Sequence, residues 1–62
     1  MKKVYHDCYG GVICIQSLRS GKYYLSARTA YGDIYHKGTY ETFRGAKIAL
    51  GRITEGMYTE VA

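Results

Sequence analysis

Apolar and polar positions alternate through the first part of the chain and then change to a helical spacing. Two strand-like runs, residues 2–9 and 12–18, flank Gly10-Gly11. A two-residue Gly-Gly link predicts a tight hairpin, because both glycines can take positive φ. Val12-Ile13-Cys14-Ile15 is the most apolar segment and reads as a central strand. Ser20-Gly21 predicts a second turn, leading into a strand over residues 22–28. Tyr31-Gly32-Asp33 marks a third turn, and Ile34-Tyr35-His36-Lys37 a short fourth strand ended by Gly38.

The period changes near Thr42. Phe43, Ala46, Ala49, Leu50 and Ile53 fall on one face at about 100° per residue, which predicts an amphipathic helix. Thr42 suits the N-cap and Gly56 the C′ position. Gly45 and Gly51 each cost such a helix about 1 kcal/mol relative to alanine, so it depends on docking against the sheet. After Gly56, Met57-Tyr58-Thr59-Glu60-Val61 alternates again and predicts a last strand. No linker, internal repeat or second unit is legible. The expected fold is α+β: an antiparallel β-meander of about four strands, one helix on one face and a short C-terminal strand (ββββαβ), in a single domain over residues 1–62.

If Gly10-Gly11 are the two central turn residues, Tyr9 faces Val12, Cys8 faces Ile13, Asp7 faces Cys14 and His6 faces Ile15. Opposed residues share a sheet face. One face then carries Val4, His6, Cys8, Ile13 and Ile15, and the other Tyr5, Asp7, Tyr9, Val12, Cys14 and Leu18. Cys8 and Cys14 fall on opposite faces in this register, which forbids a disulfide. A one-residue slip would reverse the assignment.

Composition sharpens the picture. A chain of 62 residues buries only roughly 60% of the surface its unfolded form exposes, so homodimerisation is one expected means of support. There are eight tyrosines, one phenylalanine and no tryptophan. Half-buried strand positions account for many of them; an exposed aromatic surface is the functional alternative. The formal charge of +4 suits an anionic partner but is modest. Met1-Lys2-Lys3-Val4 lacks the apolar region of a signal peptide, and no run is long enough for a membrane span. Two cysteines without a secretion signal point to reduced thiols and a cytoplasmic location.

The chemistry-bearing residues are scattered. His6, Cys8, Cys14 and His36 match no paired zinc-ligand spacing, and no metal or cofactor is expected. His6 and Cys8 share a face at alternate positions, but no third orienting residue can be named, so the chain does not read as an enzyme. If Phe43, Ala46, Leu50 and Ile53 point inward, Arg44, Lys47 and Arg52 point outward with Ile48 among them. A basic face of this kind is the footprint of phosphate binding, although it is also an ordinary solvent face. Tyr5, Tyr9, Tyr24 and Tyr35 complete the candidate partner-binding set, since sheet tyrosines can stack unpaired bases or contact protein.

The strand Tyr23-Tyr24-Leu25-Ser26-Ala27, then Gly32-Asp33-Ile34, then Tyr40 with Thr42 before a helix containing Ala46 and Ile53, resembles the YegP-like repeat, a small domain of unknown function. The resemblance covers residues 22–53, with Tyr31 where that repeat places asparagine before the turn glycine. It implies a hairpin packed under a helix, and neither an activity nor a functional residue. The expected function is that of a non-enzymatic protein that occludes a macromolecular partner, protein or nucleic acid. Phage and mobile-element accessory proteins and inhibitors are often of this size and charge, which is an analogy of composition alone. The alternatives are a homodimerising structural domain without its own ligand, or a nucleic-acid-binding module using the basic helix face and sheet tyrosines.

Overall fold

Gly10, Gly21 and Gly32 lie eleven residues apart and all take positive φ, at 84°, 87° and 92°. Each fills the same place in the same turn. The N–H of Asp7, Leu18 and Thr29 donates to the carbonyl of Gly11, Lys22 and Asp33, and each glycine N–H donates back to the first residue. These are three-residue hairpin loops, whose third residue needs the left-handed conformation that glycine adopts without a Cβ clash.

The loops connect four antiparallel strands, β1 (Lys2–Asp7), β2 (Val12–Ser17), β3 (Tyr23–Arg28) and β4 (Ile34–Tyr40), in a computed structural model that describes residues 1–61. Helix α1 (Phe43–Thr54) follows, and β5 (Tyr58–Glu60) returns antiparallel to β1. The sheet order is β4-β3-β2-β1-β5, so α1 carries the chain from one edge to the other. The fold is the expected α+β ββββαβ arrangement.

The β1–β2 register differs from the one expected. Tyr5, not Cys8, faces Ile13, and Val4 faces Cys14. The shift is three residues, an odd number, so β1 presents its opposite face. Gly10-Gly11 is not a two-residue turn: Asp7 already closes the loop, and Gly11 begins the return. Tyr5 therefore enters the core with Ile13, Ile15, Leu25, Ala27, Ala46 and Leu50, while Cys8 is left exposed in the loop. Both cysteines are free.

The helix docks as its spacing predicts. Ala46, Leu50 and Thr54 are buried, and Phe43, Ala49 and Ile53 pack around them. Thr42 caps it, accepting the Gly45 N–H at 3.0 Å. At the other end Glu55, not Gly56, is the first left-handed residue, with φ 54°. The Gly56 N–H reaches the Gly51 carbonyl and the Glu55 N–H that of Arg52, which is the Schellman arrangement. The opposite sheet face is uncovered, with Val4, Cys14, Tyr24 and Ser26 half-buried on it and Val12, Ile34 and Val61 exposed at its margins.

Among the described residues, the Tyr5 hydroxyl is buried without a hydrogen-bond partner. An unpaired buried hydroxyl costs about 1–3 kcal/mol, and phenylalanine keeps the ring. Tyr5→Phe should therefore raise stability by about 1 kcal/mol, or about 4–8 °C in Tm for a domain of this size, read from thermal and urea unfolding.

A tyrosine-lined cleft as the candidate functional site

The β1–β2 and β3–β4 loops project from the same end of the sheet, where the C-terminal end of α1 also arrives. Between them lies a cleft of about 470 Å³. Its lining includes Asp7, Tyr9, Tyr31, Tyr35, Ile53, Glu55 and Met57. Tyr9 and Tyr31 occupy equivalent turn positions, each directly before the positive-φ glycine. They are 87% and 94% exposed, and Met57 is 61% exposed, so none of the three contributes to the core. The third turn, at the far end of the sheet, carries Ser20 at that position.

The cleft's framework is held by Asp7. One carboxylate oxygen accepts the N–H groups of Tyr9 at 2.8 Å and Gly11 at 2.7 Å, and the other accepts the Tyr35 hydroxyl at 3.1 Å. Gly11 is required here, because a Cβ would run into the Asp7 carboxylate and the Arg28 carbonyl. Tyr35 reaches Asp7 through a bulge in β4: Ala27 faces His36 and Arg28 faces Ile34, leaving Tyr35 as the extra residue. Desolvation acts to raise the Asp7 pKa, but hydrogen bonds from Gly11, Tyr9 and Tyr35 and the nearby His6 outweigh it, so the carboxyl is held below its ordinary 3.8. Desolvation, then the hydrogen bond to Asp7 and its charge, raise Tyr35 above its ordinary 10.0. The pair is thus fixed as an anionic acceptor and a neutral donor.

Glu55 closes the helix side of the cleft. Its left-handed backbone costs a non-glycine residue about 1–2 kcal/mol. Its carboxylate also sits at the negative end of the helix dipole. It forms no ion pair among the described residues.

The residues singled out from the sequence divide among five places. Tyr9 and Tyr35 line the cleft. Tyr24 lies half-buried on the uncovered face, opposite Gln16 and Thr39. Tyr5 is fully buried and cannot meet a partner, a correction that follows from the three-residue shift in register. Arg44, Ile48 and Arg52 form an exposed stripe on α1. Lys47 leaves that stripe: it is half-buried, with Nζ 4.9 Å from the Tyr5 ring centre and 5.2 Å from that of Tyr58. Its cation is drawn to two ring faces, which the helical spacing could not register. Cys8 is in the loop, beyond the strand alternation that would pair it with His6. The described residues contain no cluster of three or more His, Cys, Asp or Glu side chains able to hold a metal ion.

Sequence reasoning missed Asp7, Tyr31, Glu55 and Met57. The available signal was the turn chemistry: small polar residues are favoured at loop tips, and two of the three tips carry tyrosine instead.

Asp7→Asn should destabilise the protein by about 1 kcal/mol at neutral pH, since it removes charge-assisted hydrogen bonds at an accessible site. Because the folded pKa lies below the unfolded one, this contribution is present above pH 3.8 and lost as the pH falls through the folded value. The gap between wild type and variant, measured by urea unfolding, should therefore close on acidification. The raised pKa of Tyr35 has the opposite sign: stability falls as the pH rises above 10.0, and Tyr35→Phe should remove that alkaline component. Glu55→Gly should stabilise the protein by about 1 kcal/mol by relieving the left-handed backbone, measurable as a raised Tm.

No helix among the described residues is long and apolar enough to cross a membrane. No protein-family model matches the chain, and no curated protein or solved structure is significantly similar to it.

Proposed function

We propose that the protein is a non-enzymatic binding domain that engages a protein partner through the loop end of its sheet, acting by occlusion. The observation that carries this reading is the pair of exposed tyrosines, Tyr9 and Tyr31, at equivalent turns on the two sides of one cleft. Folding gains little from a tyrosine that is about nine-tenths in water. Binding gains much, because tyrosine offers a large amphipathic surface with few rotatable bonds, and such residues dominate interface energetics. Asp7 reduces the cost further by fixing the loop that bears Tyr9 before the partner arrives.

A protein partner is favoured over nucleic acid by the placement of charge. None of the nine lysines and arginines lines the cleft. Lys3 pairs with Glu60 at 3.1 Å, Lys22 with Glu41 at 3.3 Å, and Lys47 lies over two rings. Arg28 donates to the Gly32 carbonyl at 3.0 Å, Lys2, Arg19 and Lys37 are exposed singly on the sheet and its turns, and Arg44 and Arg52 share the helix stripe, eight residues apart. Two cations at that spacing are few for a phosphate track, where each neutralised phosphate contributes to affinity and to its salt dependence.

The test is capture from extract of the native host, with and without nuclease treatment, comparing wild type with Tyr9→Ser/Tyr31→Ser and with Arg44→Glu/Arg52→Glu. Both double variants change exposed positions and should fold, which their melting curves would verify. A retained protein lost at least about tenfold with the tyrosines, and kept without the arginines, is the expected result. Retention that needs the arginines and disappears with nuclease would replace this reading with nucleic-acid binding.

A further inference from the structure

We propose that the cleft takes one particular group from that partner, the guanidinium of an arginine side chain, received by the tyrosine faces and neutralised by Glu55. The inference rests on the binding reading above and names what the site selects. Its basis is the sign of the charges that line the cleft. The protein has nine basic and five acidic side chains, yet the two charged residues of the lining, Asp7 and Glu55, are both acids. The C-terminal end of α1 adds its own partial negative charge at Thr54 and Glu55. The cleft lining of this basic protein therefore carries only acidic charge, with Arg28 turned to the Gly32 carbonyl of the β3–β4 loop at 3.0 Å.

The two acids have different roles. Asp7 is occupied by three hydrogen bonds within the protein and supplies only its field. Glu55 follows Arg52 of the last helical turn but forms no ion pair with it or with any other of the described residues. It holds that position against two opposing terms, a positive φ of 54° and the helix dipole. A glycine would satisfy the turn better, so what the residue contributes is its carboxylate.

The remaining lining sets the shape of the guest. Tyr9, Tyr31 and Tyr35 supply aromatic rings to the lining, and Met57 a polarisable thioether. Cations are attracted to ring faces, and a planar guanidinium can stack on a ring while forming paired hydrogen bonds with a carboxylate. An ammonium point charge can do only part of this. A phosphate would meet two carboxylates, and a purely apolar group would leave Glu55 without a counter-charge.

The probe is N-acetyl-arginine methylamide, followed by amide chemical shifts in ¹⁵N-labelled protein. Saturable shifts at Tyr9, Tyr31, Glu55 and Met57 are expected. N-acetyl-citrulline methylamide, which keeps the shape without the charge, should bind about tenfold more weakly or less. Glu55→Gln should weaken arginine binding roughly threefold to fivefold, the range of an exposed ion pair. Glu55→Gly should weaken it as much while raising Tm, which separates recognition from folding. Equal binding of citrulline, equal binding of N-acetyl-lysine methylamide, or shifts centred elsewhere would each overturn the proposal. The two levels of inference fail separately. Capture of a host protein that needs Tyr9 and Tyr31 but survives saturating arginine overturns the guanidinium assignment and leaves the binding reading standing. Capture indifferent to both tyrosines overturns both.

Discussion

Asp7 ends β1 with a carboxylate that accepts hydrogen bonds from Tyr9, Gly11 and Tyr35. The first two draw the chain into a three-residue loop, and the loop sets the register of β1 on β2. That register decides that Tyr5 is buried and Val4 is not. Tyr5 in turn gives Tyr58 an edge-on partner, with ring centres 5.6 Å apart, at the start of the edge strand β5. The third bond reaches across to the bulge of β4 and ties the two loops of one sheet end together. A single side chain thus links the core at one edge to the walls of the cleft at the other.

The segments of this fold are legible in the sequence because each carries a local signal. Alternation marks the strands, the change to helical spacing at Phe43 marks α1, and glycines mark the turns. Register is not local in the same way. The run Lys2-Lys3-Val4-Tyr5-His6 places one good apolar residue on each face, so its pattern permits either orientation. The choice is made by an Asp7 side chain bonding its own loop and a tyrosine 28 residues away. The adjacent glycines compound the ambiguity, because Gly10-Gly11 satisfies the rule for a two-residue turn while only Gly10 takes positive φ. Gly11 is needed for a different reason, the close approach of Arg28.

The site was less legible than the fold, for a related reason. A tyrosine in a strand reads the same whether it is buried, as Tyr5 is, or half-covered on an open face, as Tyr24 is. Lys47 shows the same limit on the helix. Its position on the wheel is outward, yet a long side chain can bend its charge toward the sheet edge, where Tyr5 and Tyr58 offer ring faces. What distinguishes Tyr9 and Tyr31 is their shared turn position, which emerges only once the three loops are seen to be equivalent.

The distribution of charge has a further consequence for how such a protein can recognise anything. A net +4 would repel a basic partner at long range, but at physiological salt that repulsion fades within about 8 Å. Contacts formed inside a partly desolvated cleft are screened less than charges spread over the surface. If the cleft is the recognition site proposed above, discrimination lies there and not in the overall field of lysines and arginines carried by the rest of the surface. The strained backbone of Glu55 and the water-exposed rings of Tyr9 and Tyr31 gather at this same end, while the capped start of α1 and the apolar core lie away from it. In a domain small enough that about 1 kcal/mol is a sizeable fraction of its stability, that concentration of unfavourable features is the physical argument for the placement of the binding site proposed above.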